Sequence, residues 1–92
     1  MMTKEMIEAL AETLVMEIGM ELRILRKYTP YRVSREQAID YIDNALSRCF
    51  GAFNFFLTVA EESNLFSDEE LLEMEDYWYT CRADFYALRN GV

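Results

Sequence analysis

Apolar residues recur along this chain in three long runs with helical spacing, and each run opens on a hydroxyl side chain. Thr3 precedes the first run, while Ser34-Arg35-Glu36-Gln37 and Ser67-Asp68-Glu69-Glu70 both match a capping box. In that motif the hydroxyl and the residue three further on satisfy backbone N–H groups that have no partner inside the helix. The pattern predicts helices over Lys4–Lys27, Arg35–Ser63 and Asp68–Arg89. Thr29-Pro30 should stop the first, because proline disfavours helical backbone in the residue before it. Asn64 suits a left-handed cap after the second, and Asn90-Gly91 should end the third.

The third run is the cleanest. Leu71, Met74, Trp78, Cys81, Phe85 and Leu88 follow steps of 3-4-3-4-3, an unbroken seam of coiled-coil type. The short Ser63–Ser67 link makes the second and third helices an antiparallel hairpin. The second run is broader: Ile39, Ile42, Leu46, Cys49, Phe50, Phe53, Phe56, Leu57 and Ala60 face one way, and Tyr41, Ala52, Phe55 and Val59 widen the arc. Only Asp40, Asn44, Ser47, Gly51, Asn54 and Thr58 form a polar stripe. The first run has two adjacent stripes, Ile7, Leu10, Leu14, Ile18, Leu22 and Leu25 beside Met6, Ala9, Thr13, Met16 and Met20.

A helix apolar nearly all round needs cover on several sides. Two neighbours from the same chain shield about half of it. The expected fold is therefore all-α, with the first helix packed on the hairpin and a larger bundle completed by self-association, a dimer being favoured. Gly19 and Gly51, isolated within helices, are expected at close helix crossings.

Composition narrows the class. With 92 residues there is room for one domain, 1–92, and 52% apolar with 28% charged side chains is a folding composition. No run approaches the roughly 18 apolar residues of a membrane span, and the first residues lack a secretory pattern, so a cytoplasmic location is expected. Cys49 and Cys81 lie within apolar patterns and read as reduced, buried thiols; a disulfide between facing helices is the less favoured alternative. Histidine is absent, which removes imidazole catalysis and most zinc sites. Glu70 and Glu73 share the i,i+3 spacing of carboxylate metal sites, but without a histidine and on a polar face they imply no metal. No nucleophile stands beside a base and no phosphate loop is present, so neither enzyme activity nor a cofactor is expected.

Charge then divides the molecule. Residues 1–60 carry 7 basic and 8 acidic side chains, whereas residues 61–92 carry 2 and 9, so nearly all of the net −8 sits in the last third. The acidic candidates are Glu61, Glu62, Asp68, Glu69, Glu70, Glu73 and Asp76. Such a surface repels nucleic acid and anionic lipid and attracts a basic protein. Part of it has a structural origin, since Asp68, Glu69 and Glu70 stabilise the first turn of a helix.

Two further groups are candidates. Arg26, Lys27, Tyr28, Tyr31, Arg32 and Arg35, close to Arg23 and to the N-terminus of the second helix, could hold a nucleotide or another phosphate-bearing small ligand. Glu17 and Glu21 fall between the two stripes of the first helix and need partners, for which Arg48 and Arg82 are placed. Glu75, Tyr79, Arg82 and Tyr86 form a row beside the third seam with the composition of an interface. In size, acidity and lack of catalytic groups the chain resembles small phage or mobile-element proteins that block host machinery by binding it. The expected function is thus a non-enzymatic interaction protein, an inhibitor or adaptor for a basic or nucleic-acid-binding protein. The alternative is an oligomeric binder of a small anion.

Overall fold

The structure is a computed structural model that describes residues 2–92; the side chains of residues 28–32 lie outside the described set. Three α-helices follow one another, α1 (Lys4–Arg32), α2 (Arg35–Ser63) and α3 (Asp68–Asn90). The all-α expectation and the order of the elements hold.

The caps form as their chemistry requires. The Thr3 side chain accepts a hydrogen bond from the Met6 N–H. Ser34 and Gln37 satisfy each other's backbone N–H groups at 3.2 Å in both directions. Ser67 and Glu70 do the same at 3.2 and 3.0 Å. Asn64 closes α2 in the left-handed region with φ 58°. Asparagine tolerates that conformation better than most residues.

Two boundaries differ from the sequence reading. Helix α1 continues through the Thr29-Pro30 stop to Arg32 and ends at Val33, whose backbone is extended. Pro30 falls in the last turn, with only two further helical residues after it. Helix α3 ends at Asn90, and Gly91 takes a right-handed conformation with φ −87°, donating its N–H to the Ala87 and Leu88 carbonyls. The stop is real, but it does not use glycine's freedom at positive φ.

Helix α2 is central, with α1 and α3 packed more on it than on each other. Its larger buried cluster joins Ile18, Leu22 and Leu25 of α1, Ile42, Ala45 and Phe53 of α2, and Trp78, Cys81 and Phe85 of α3. A smaller one sets Ile7 against Phe56 and Ala60, with Phe66 from the hairpin link packed on it. Phe53 is the aromatic hub. Its ring stacks on Trp78 at 5.4 Å and meets Phe56 edge-on at 5.8 Å. Such pairs add to the area term because ring edges and faces carry opposite partial charge. Leu10 and Phe50, both assigned to the core by periodicity, are half-exposed instead, while Ala38 and Ala45 of α2 are buried.

Gly19 and Gly51 do not mark helix crossings. Both are exposed, and a Cβ at either would meet nothing within 4 Å. Cys49 and Cys81 are free thiols, half-buried and buried. Among the described residues no helix is long and apolar enough to cross a membrane.

Candidate functional site

Three surfaces emerge once the helices are placed, and they regroup the candidate residues. The first lies on the outer side of α1 and α2. Here the Arg48 Nη2 donates to Glu21 Oε1 at 2.6 Å. Arg48 and Glu21 line a cavity of about 490 Å³ together with Ile24, Leu25, Val33, Tyr41 and Asn44. Further along the same helix pair, a groove of about 250 Å³ is lined by Leu10, Thr13, Leu14, Glu17, Ala52, Phe55, Phe56 and Val59. The expected pairing of Glu21 with Arg48 is therefore present. Glu17 stays exposed on the groove, and Arg82 is placed elsewhere.

The second surface is a groove of about 370 Å³ between α1 and α3. Phe53, Phe56, Phe66, Met74 and Tyr77 give it an aromatic lining, with Ala11 and Val15 from α1, and Glu8, Glu70 and Glu73 supply carboxylates. Lys4 contacts two of its lining residues: its Nζ lies 3.0 Å from Glu70 Oε2 and 5.3 Å from the centre of the Phe66 ring. The Ser67 backbone N–H, and after it the Lys4 ammonium, hold the Glu70 carboxyl below the usual carboxylate range. The same hydrogen bond raises Lys4. Tyr77 is pushed up to about 12, by burial first and then by its hydrogen bond with Cys81. Burial also raises the Cys49 and Cys81 thiols.

The third surface runs along α2 and α3 on the side away from α1. The Arg82 guanidinium lies over the Tyr79 ring at 4.9 Å, and both line a shallow recess with Glu75, Phe50 and Trp78. Glu75 and Glu61 border the next groove along, beside Leu57 and Leu71. Tyr86 is half-exposed.

The acidic candidates consequently do not share one face. Glu73 borders the α1–α3 groove and Glu61 the α2–α3 groove, while Glu62, Asp68, Glu69 and Asp76 are exposed. Glu70 is committed to its cap and to Lys4, so it is a structural residue before it is a contact residue. A contiguous acidic run cannot stay on one side of a hairpin, since successive helical residues turn by about 100°.

Of the basic cluster, Arg26, Lys27 and Arg35 are exposed, and the side chains of Tyr28, Tyr31 and Arg32 lie outside the described residues. Among the described residues, Arg26, Lys27 and Arg35 do not line the cavity that holds the Arg48–Glu21 pair. Among the described residues no group of histidine, cysteine or carboxylate side chains could hold a metal ion.

Periodicity missed the α1–α3 groove. Val15 and Tyr77 each stand one step off a predicted seam, Phe66 is in the link, and Glu8 lies off both stripes of the first run. The only sequence signal was an aromatic residue beside the seam at Tyr77. No protein-family model, curated protein or solved structure matches the chain.

Proposed function

We propose that this chain is a non-enzymatic helical interaction protein that takes a basic, amphipathic segment of another protein into its α1–α3 groove, acting as an inhibitor or adaptor. The observation that carries this reading is the combination in one groove of an aromatic floor with carboxylates on both helices, Glu8 from α1 and Glu73 from α3. An aromatic floor supplies the affinity of desolvated ring contacts, and a carboxylate rim supplies selectivity for lysine and arginine and speeds encounter. The excess of 9 acidic over 2 basic side chains in residues 61–92 extends that field beyond the groove. Its cytoplasmic setting, where thiols stay reduced, accords with two free cysteines.

The test is fluorescence anisotropy with a labelled amphipathic Lys/Leu peptide and a Glu/Leu control of the same length. Selective binding of the Lys peptide, weakened about tenfold by Glu8→Lys with Glu73→Lys and weakened by salt, supports the reading. Equal binding of both peptides, or no loss in the double variant at unchanged circular dichroism, removes it. Glu70 is kept in these variants because its substitution would disturb the cap of α3.

A further inference from the structure

The apolar arc of α1 does not stop at the core. It continues onto one flank, the one beside the outer side of α2, where Leu10, Met20 and Ile24 are about half-exposed. The other flank carries Glu8, Glu12 and Arg26, with Val15 and, towards the back of the helix, Met16 as its large apolar side chains. On α2 the same side presents Tyr41, half-exposed, and Phe55, exposed to 72%. Leaving a phenylalanine that open in water is unfavourable, and exposed apolar residues gathered on one face mark an association surface.

The spacing on this face is that of a second seam. Leu10, Thr13, Glu17, Met20 and Ile24 follow steps of 3-4-3-4, and Arg48, Ala52, Phe55 and Val59 follow 4-3-4. Two antiparallel helices with such a stripe are half of a four-helix bundle. Since both helices belong to one chain, a two-fold axis lying in the plane of contact apposes the stripe to itself and closes the assembly.

Charge decides what covers the face. Two copies at net −8 each repel, but nearly all of that charge belongs to residues 61–92, and residues 1–60 are close to neutral with 7 basic and 8 acidic side chains. The α1–α2 side is therefore where copies approach at least electrostatic cost. At its centre stands one guanidinium with two carboxylates, of which Arg48 engages Glu21 through Nη2. Arginine has five N–H donors in a planar fork and can serve a second carboxylate. The Cα envelope of the chain measures 45 Å by 19 Å on its longer sides, which accommodates the roughly 800 Å² per partner of a stable interface.

We infer that two copies of this chain pair through the α1–α2 face, Phe55 and Met20 filling the grooves of the other copy and Arg48 bridging its own Glu21 to Glu17 of the other copy. Among the described lining residues this surface shares only the buried Phe56 with the α1–α3 groove, and the tests of the two proposals substitute different residues.

Sedimentation equilibrium on the full chain at micromolar concentration tests the inference. The expected mass is twice 10.9 kDa. Phe55→Glu on α2 and, separately, Met20→Glu on α1 should each weaken pairing by roughly 30-fold or more, the effect of losing an interface hot spot, at unchanged helical circular dichroism. Arg48→Glu should weaken pairing, and Glu17→Arg combined with Arg48→Glu should restore much of it. A single species of 10.9 kDa at this concentration overturns the inference. A dimer indifferent to both Phe55→Glu and Met20→Glu overturns the choice of face, and a charge swap that recovers nothing overturns the bridge.

Discussion

Phe53 and Phe55 stand two residues apart on α2, yet packing gives them opposite roles, and comparing their alanine variants tests the placement of the core. Phe53 is 3% exposed and Phe55 is 72% exposed. Phe53→Ala removes a ring that stacks on Trp78 at 5.4 Å and touches Phe56 at 5.8 Å. Phenylalanine truncation in a packed core costs about 3–5 kcal/mol, the lost transfer energy plus the cavity left behind. A domain of this length is stable by roughly 5–14 kcal/mol. The variant therefore forfeits a large share of its stability, and its melting temperature should fall by about 12 °C or more. Phe55→Ala, in a chain unable to pair, should stay within about 0.5 kcal/mol of its parent. Both variants belong in a Met20→Glu background, so that association does not enter. Urea unfolding is followed by circular dichroism and by the emission of Trp78, the one tryptophan in the chain. Comparable losses in the two variants would refute the assignment of α2's faces, as would a Phe53→Ala cost below about 1 kcal/mol.

The remaining predictions address helix interiors, caps and titration. Gly19→Ala and Gly51→Ala should each stabilise the fold by about 0.5–1 kcal/mol, because glycine costs entropy in a helix and a Cβ meets nothing within 4 Å at either position; urea midpoints that fall would contradict this. Ser67→Ala, which removes the hydroxyl that accepts the Glu70 N–H, should cost about 1 kcal/mol and speed amide exchange in the first turn of α3. Glu70 has a folded pKa below its ordinary 4.5, so its stabilising contribution is complete above that pH and is lost as pH falls through the folded value. The melting-temperature gap between the wild type and Glu70→Gln should accordingly narrow on going from neutral to strongly acidic solution, and a constant gap would exclude this linkage. Tyr77, raised from 10.0 to about 12, keeps its proton in the folded state after the unfolded chain has lost it. Stability should thus decline as pH rises through that window, and Tyr77→Phe should remove one late step from the tyrosinate absorbance titration.

Much of the architecture was legible because its determinants are local. A capping box spans four consecutive residues, and a seam repeats within each helix, so Ser34, Ser67 and the Leu71–Leu88 row could be read without knowing any neighbour. The left-handed Asn64 was legible for the same reason. Pro30 shows the limit of a local rule: proline's bias against helix in the residue before it is a preference, and here the helix carries through it for two more residues. Glu21 with Arg48 was also foreseeable, since both residues stood out as charges among apolar arcs.

What no periodicity could supply was the rotation of α1 and α3 about α2. That rotation brings Lys4 to Glu70 across 66 positions and Arg89 to Asp43 across 46, assembles Phe53, Phe66 and Tyr77 into one groove, and divides the acidic run between two sides of the hairpin. Helical periodicity reports which residues share a face. The side on which that face meets another helix is set by how three different side-chain surfaces interlock, and this makes the grooves and the open α1–α2 face properties of the tertiary structure alone.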